Sequence, residues 1–166
     1  KGNFRKCCNV CRGDYVDLHP FYHQLCPRCG ELNFEKRQQS ASMDGMVCVV
    51  TGGRVRIGYH TVLKLLRAGA KVFATSRFPC DMAHRYAREP DFRKWNHRLE
   101  VCGPVELSNL HVVEELCRVL RMKYPRIHVL INNAAQTLTR PPAWHARMEQ
   151  LEVLAAASLP ADAHHL

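Results

Sequence analysis

Residues 46–58 are Met46-Val-Cys-Val-Val-Thr-Gly-Gly-Arg-Val-Arg-Ile-Gly58, and they decide the fold. The apolar run 46–50 has the length and β-branched content of a buried parallel strand. The turn after it contains Gly52 and Gly53, and a helical pattern of apolar residues then continues to a glycine stop at Gly69. Because free backbone N–H groups and the helix dipole face an anion in such an arrangement, the stretch predicts a phosphate-binding turn.

The sequence downstream alternates between strand and helix patterns. Further strands are predicted at 71–77, 98–101 and 127–131, and Ser108 is the expected N-cap of the helix before the last one. The order β-α-β-α-β-α-β predicts a parallel sheet with right-handed crossovers. Ligands of such sheets bind beyond the carboxyl ends of the strands, where Arg77, Glu106 and Asn132-Asn133 also fall.

These motifs resemble the cofactor-binding half of the classical short-chain dehydrogenase/reductase family. Thr51–Gly58 is similar to its Thr-Gly-x-x-x-Gly-x-Gly loop, and Asn132-Asn133-Ala134-Ala135 to its Asn-Asn-Ala-Gly motif. Glu106-Leu107 stands where the family has an acidic and an apolar residue at the adenine pocket. The resemblance covers residues 46–135 and implies an α/β, partial Rossmann-like fold, a doubly wound parallel sheet of about four strands. The cofactor-binding residues that it implies are Thr51, Gly52, Gly53, Arg54, Arg56, Ile57, Gly58, Arg77, Glu106, Leu107, Asn132, Asn133 and Ala134.

Arg77 indicates which nicotinamide dinucleotide would bind. An acidic residue at the end of the second strand suits the ribose hydroxyls of NAD, whereas an arginine suits the 2′-phosphate of NADP. With Arg54 and Arg56 nearby, the sequence predicts a strongly positive pocket that favours NADP over NAD. Arg56 also departs from the family pattern, which has a glycine at this position. Its side chain could contact the phosphate directly or crowd the turn.

The N-terminal region contains two Cys-x2-Cys pairs separated by fourteen residues. Two such turns can present four thiolates to one zinc ion in a small ribbon- or knuckle-like module. The predicted ligands are Cys8, Cys11, Cys26 and Cys29. Cys7 offers a second register, and His19 and His23 could replace a cysteine, although packed histidines are favoured. A cysteine-paired extension of this kind is similar to one found in some members of the family.

The predicted organisation has four parts. Residues 1–40 form the cysteine module, 41–45 a linker, 46–135 the NAD(P)-binding half-domain, and 136–166 a helical segment and tail. The helix begins near Pro142, and the last eight residues are expected to be disordered.

The family's catalytic tyrosine has a lysine four positions later, and none of the five tyrosines here has one. No catalytic residue is therefore predicted, and the chain is interpreted as a fragment without a catalytic half. The resemblance implies an NADP(H)-dependent oxidoreductase acting on a carbonyl or alcohol substrate. The alternatives are a zinc-stabilised basic module that binds nucleic acid or protein, with nucleic acid less favoured, and a non-functional fragment. Self-association is expected, because an edge strand would be left uncovered.

The bulk composition narrows the partners and the compartment. The formal net charge of +9 favours an anionic partner. No apolar run approaches the roughly 20 residues of a membrane span. Clustered cysteines indicate a reducing, intracellular location, expected to be the cytoplasm.

Overall fold

The computed structural model describes residues 5–135 and 139–166. The chain divides into two compact units, Lys1–Ala41 and Ser42–Leu166. Among the helices of the described residues, none has the length and apolar character needed to cross a membrane.

The smaller unit is a short hairpin followed by a helix. Strand β1 (Lys6–Cys7) pairs antiparallel with β2 (Asp14–Tyr15), and helix α1 spans Pro27–Gln38. Its core consists of Cys8, Tyr15 and Cys29, with Leu25 and Cys26 packed against them. Because this core is small, a bound metal would supply much of the folding free energy.

The larger unit is an α/β layer structure with a four-stranded parallel sheet, as the sequence predicted. The strands are β3 (Val47–Thr51), β4 (Lys71–Thr75), β5 (Leu99–Cys102) and β6 (Val129–Ile131), in the spatial order β5-β4-β3-β6. The α-helices are α2 (Arg56–Arg67), α3 (Pro79–Ala87), α4 (Phe92–Trp95), α5 (Leu110–Lys123) and α6 (Pro142–Ala157), and short 3-10 helices span Asn96–Arg98 and Ala161–Ala163. This is a partial Rossmann-like fold.

The sheet buries side chains on both faces, which explains why β3 is a continuous apolar run. Val50 belongs to a cluster that includes Leu66 of α2 and Tyr86 of α3. Val49 points to the other face and joins Leu116 of α5. Because successive side chains of β3 point to opposite faces, the strand packs against helices on both sides of the sheet.

Helix α5 begins one residue later than predicted. Its N-cap is Asn109, whose side-chain oxygen accepts a hydrogen bond from the His111 N–H at 3.1 Å. Ser108 does not cap the helix, and its backbone N–H donates instead to the Glu106 carboxylate at 3.3 Å.

The prediction of a disordered tail was wrong. Ala163 is fully buried, and Leu159 and Leu166 pack against the same core as α2. The Val101 N–H of β5 donates a hydrogen bond to the Leu166 carbonyl at 3.1 Å. The tail is ordered because its few apolar side chains cover one edge of the hydrophobic core.

Strand β6 lies at the other edge of the sheet. Its Leu130 pairs with Val49 of β3 in the sheet, and the Leu130 side chain is 59% exposed. The exposed edge predicted for the fourth strand is therefore present in the described part of the chain.

Candidate functional site

The glycine turn after β3 is held against the end of β4. The N–H groups of Gly52 and Gly53 both donate to the Thr75 carbonyl at 3.0 Å. Gly52 has φ +72°, and a Cβ there would lie 2.9 Å from the Cα of Ala134. The position therefore requires glycine, for conformation and for space.

Asn133, just after β6, connects that strand to the glycine turn. Its side-chain amide donates to the carbonyls of Thr51 and Gly52, both at 3.1 Å. In return, the Thr51 hydroxyl accepts hydrogen bonds from the N–H groups of Asn133 and Ala134 at 3.1 and 3.0 Å. These four bonds, which we term the Thr51–Asn133 bridge, fix the turn between the two strand ends.

Helix α2 starts directly behind the turn with an N-terminus open to an anion. Val55 provides no side-chain cap, and the first turn contains no acidic residue. A Cβ on Gly58 would lie 2.1 Å from the Gly52 carbonyl oxygen, so only glycine lets the helix approach this closely. Uncapped N–H groups and a helix dipole are the features with which helix N-termini bind phosphate groups in other proteins.

Arg56 occupies the left-handed backbone region that favours glycine, with φ +55°. Its side chain is exposed. The turn thus keeps the backbone geometry suited to a glycine, although an arginine occupies the position. Such a conformation costs a residue with a Cβ about 1–2 kcal/mol.

Two of the three arginines that the sequence placed in a positive pocket, Arg54 and Arg77, have acidic partners. Arg54 donates to Asp81 at 2.7 Å, and Arg77 contacts Glu106 at 3.4 Å. Folding brings these acidic residues to the arginines from separate segments, so their charges are compensated. A further acidic residue, Glu152, accepts hydrogen bonds in the first turn of α3.

The acidic partners are held in their charged forms. Partial burial raises the pKa of Asp81, but the hydrogen bonds and charges of Arg85 and Arg54 outweigh it and leave the pKa below its usual range. Burial likewise opposes ionisation of Glu106, but the Ser108 N–H and Arg77 bring its pKa below the usual value.

The predicted cofactor residues fall into three groups. Those in contact at the turn are Thr51, Gly52, Gly53, Gly58, Asn133 and Ala134. Arg54 follows β3, Arg77 follows β4 and Glu106 follows β5. The guanidinium carbons of Arg54 and Arg77 lie within 6 Å of the centre of the Phe78 ring. Arg56, Ile57, Leu107 and Asn132 are exposed.

One residue at the turn escaped the sequence interpretation. The buried Tyr86 hydroxyl donates to the Gly53 carbonyl at 2.6 Å, and its ring stacks on Tyr59 with centroids 4.7 Å apart. Tyr86 follows the buried Met82 by four residues, a spacing that puts both on the inner face of α3. Nothing in the sequence indicated that its hydroxyl would reach Gly53.

The four predicted zinc ligands form a second candidate site. The Sγ atoms of Cys8, Cys11, Cys26 and Cys29 all lie within 4.8 Å of one another, and those of Cys11 and Cys26 are 3.8 Å apart. Tetrahedral coordination with Zn–S bonds of about 2.3 Å places sulfurs about 3.8 Å apart, so the four thiols fit a zinc ion.

The thiols of the cluster differ in their electrostatic surroundings, and Cys7 lies outside the cluster. Backbone N–H groups of Cys11 and Cys26 lower the pKa of Cys8 to about 6. A hydrogen bond to Cys26, with burial, raises the pKa of Cys29 to about 12. Cys7 instead points to the Arg12 carbonyl at 3.3 Å and lies outside the set.

His19 has a packing role in the smaller unit. Its Nδ1 accepts hydrogen bonds from the N–H groups of Phe21 and Tyr22 at 3.1 and 3.0 Å. A Cβ at Gly30 would lie 2.5 Å from the His19 ring, so the ring lies directly against helix α1. The favoured reading of His19 as a packed histidine agrees with these contacts.

Comparisons with known proteins agree with this geometry. The family model described as short chain dehydrogenase matches residues 46–157. The short chain dehydrogenase/reductase dpchH of Colletotrichum higginsianum is 39% identical over 98 residues, covering 58% of this chain and 24% of that protein.

A second relative extends further along the chain. The uncharacterized protein R665 of Acanthamoeba polyphaga mimivirus is 30% identical over 158 residues. The match covers 92% of this chain and 33% of that protein, so it reaches into the smaller unit. The chain thus spans a third or less of the length of these two relatives.

A solved structure shows the same fold. The L-sorbose reductase of Gluconobacter frateurii, complexed with NADPH and L-sorbose, superimposes with a TM-score of 0.51 at 22% identity. The superposition covers 73% of this chain and 47% of the reductase.

Proposed function

The chain belongs to the short-chain dehydrogenase family, and we propose that its residues 46–135 bind NADP(H) as the cofactor-binding part of an oxidoreductase. The substrate class would be a carbonyl compound or the corresponding alcohol. The observation that carries the proposal is the Thr51–Asn133 bridge, which holds the glycine turn in front of the open N-terminus of α2.

Each part of this edge has a role in the proposal. The cofactor diphosphate would bind at the turn and the N-terminus of α2, where N–H donors are available. Arg77 would receive the 2′-phosphate of NADP(H), and Glu106-Leu107 would border the adenine. The cofactor supplies hydride chemistry at its nicotinamide ring, and the protein supplies position and charge.

The chain alone should bind cofactor without turnover. The family's tyrosine with a lysine four positions later does not occur in its sequence. We therefore propose a cofactor-binding portion, whose catalytic residues would have to be supplied by additional sequence.

A fluorescence titration with NADPH and NADH tests the cofactor proposal. We expect saturable NADPH binding below millimolar concentration, and Arg77→Ala should weaken it about tenfold while NADH binding changes little. Arg126→Ala is the matched control, because it removes the same charge from an exposed residue that precedes β6. Absence of NADPH binding at millimolar concentration, or equal losses for both cofactors, contradicts the proposal.

We also propose that residues 1–40 bind one zinc ion through Cys8, Cys11, Cys26 and Cys29. The support is the mutual distance of the four thiols. Cobalt substitution should give one equivalent with thiolate-to-metal charge-transfer and tetrahedral d–d bands, and Cys11→Ser should weaken them strongly. Cys7→Ser is the control and should leave the spectrum unchanged. If Cys7→Ser changes it as much as Cys11→Ser does, the proposed ligand set is wrong.

Self-association through β6 is a third proposal, with a second copy of the chain as the partner. It is supported by the exposed Leu130 on an edge strand. Sedimentation should detect dimers that Leu130→Lys removes. Leu110→Lys, the same change at an exposed position of α5, should leave the dimers intact. A wild-type monomer at all concentrations tested would refute it.

A further inference from the structure

Helix α6 is attached to helix α3 by a carboxylate. The Glu152 oxygens accept hydrogen bonds from the backbone N–H groups of Cys80 and Asp81, the second at 2.9 Å. These donors belong to the first turn of α3, where no earlier carbonyl of the helix can accept them. Phe78, at the N-cap, offers no side-chain cap. Glu152 therefore acts as the anion at the positive end of this helix.

This contact lies at the corner proposed for the cofactor's 2′-phosphate. Helix α3 begins two residues after Arg77. The Trp144 ring of α6 meets the Phe78 ring edge-on, with centroids 6.0 Å apart. The guanidinium carbons of Arg54 and Arg77 lie 5.3 and 5.8 Å from the centre of the same Phe78 ring.

We propose that Glu152 is an internal competitor for the 2′-phosphate, so that it lowers the preference of this chain for NADP(H) over NAD(H). The inference rests on the proposed function. A 2′-phosphate beside Arg77 would be stabilised by the N–H groups of Cys80 and Asp81, and these are the donors that the carboxylate now occupies. NAD(H) has no 2′-phosphate and gains nothing from them.

The packing of α6 makes such competition feasible. All residues of α6 are described, and none of them is buried. His84 Nε2 of α3 also makes a hydrogen bond with the Ala155 carbonyl of α6, at 2.9 Å. A helix with no buried residue can move away when a more highly charged phosphate takes the place of its carboxylate.

Calorimetric titration with adenosine 2′,5′-bisphosphate and adenosine 5′-monophosphate tests the inference. Glu152→Gln should bind the bisphosphate about five- to tenfold more tightly than the wild type, with the monophosphate unchanged. Glu149→Gln, on the same helix and exposed, removes the same charge without the contact and should change neither affinity. Glu152→Asp keeps the charge but shortens its reach, and it should also bind the bisphosphate more tightly.

The outcomes separate this inference from the proposed function. If wild type binds both nucleotides and Glu152→Gln leaves the bisphosphate affinity unchanged, the competition is refuted and the cofactor site stands. If both nucleotides gain affinity equally, or if Glu149→Gln shows the same gain, the effect comes from net charge alone and the proposed competition is also refuted. If neither nucleotide binds to any variant, both proposals fail. Should Glu152→Gln not fold, the Glu152→Asp titration decides.

Discussion

Replacing Arg56 with glycine should stabilise the larger unit. Arg56 has φ +55°, a conformation that costs about 1–2 kcal/mol for a residue with a Cβ. Glycine removes this cost but loses about 0.5–1 kcal/mol more conformational entropy on folding. The net gain in the free energy of unfolding is therefore expected to be about 0.5–1 kcal/mol.

Arg56→Ala is the matched control, because it removes the charged side chain and keeps the Cβ. The comparison of glycine with alanine at this position isolates the backbone conformation from the charge. Both tryptophans, Trp95 and Trp144, belong to the larger unit, so their fluorescence in a urea titration follows that unit.

The expected order of stability is Arg56→Gly above Arg56→Ala, by about 0.5–1 kcal/mol at unchanged m-value. Equal midpoints, or a less stable glycine variant, would show that position 56 does not adopt the left-handed conformation. The same variant should bind NADPH no more weakly than the alanine variant, since glycine lets the backbone approach a phosphate.

Three more predictions concern the bridge, an ion pair and the zinc module. Asn133→Asp replaces an amide donor by a charged acceptor that faces two carbonyls, so urea denaturation should show a free energy of unfolding that is lower by about 2–4 kcal/mol. The same change at the exposed Asn132 should lower it by less than about 0.5 kcal/mol. The hydrogen bond from Arg67 lowers the pKa of Asp91 to about 2, so the unfolded chain binds the proton at a higher pH than the folded chain does. The free energy of unfolding should therefore fall as the pH decreases from about 4 towards 2. Urea titrations at several pH values should show this slope, and Asp91→Asn should flatten it. A zinc chelator should abolish the circular dichroism of α1 while tryptophan fluorescence stays constant, and a chelator-resistant α1 would contradict metal-dependent folding.

The sequence predicted the sheet because its signals were local. Apolar runs, glycine stops and prolines mark each strand and helix within a few residues, and the alternating order then implies a parallel sheet. The cysteine spacing was equally informative, since four thiols at Cys-x2-Cys intervals were correctly expected to lie close together. Element ends were less accurate, as Asn109 in place of Ser108 illustrates, because several polar residues can serve as a cap.

Features that depend on distant segments could not be predicted. The compensation of Arg54 by Asp81 joins residues 27 positions apart, and the Glu152 contact joins α6 to α3 across about 70 positions. The packed tail was missed for the same reason, because its order depends on contacts with the distant strand β5, such as the hydrogen bond from the Val101 N–H to Leu166. The left-handed conformation of Arg56 was hidden because arginine does not normally indicate it.

The Thr51–Asn133 bridge has a kinetic consequence. A loop that must order itself around a ligand slows association and spends part of the binding free energy on lost conformational entropy. Here four hydrogen bonds within the protein already determine the shape of the turn, so a dinucleotide would meet a rigid surface. Encounter, rather than loop closure, should then set the association rate at this turn, and differences in affinity between nucleotides should appear mainly in how fast each one leaves.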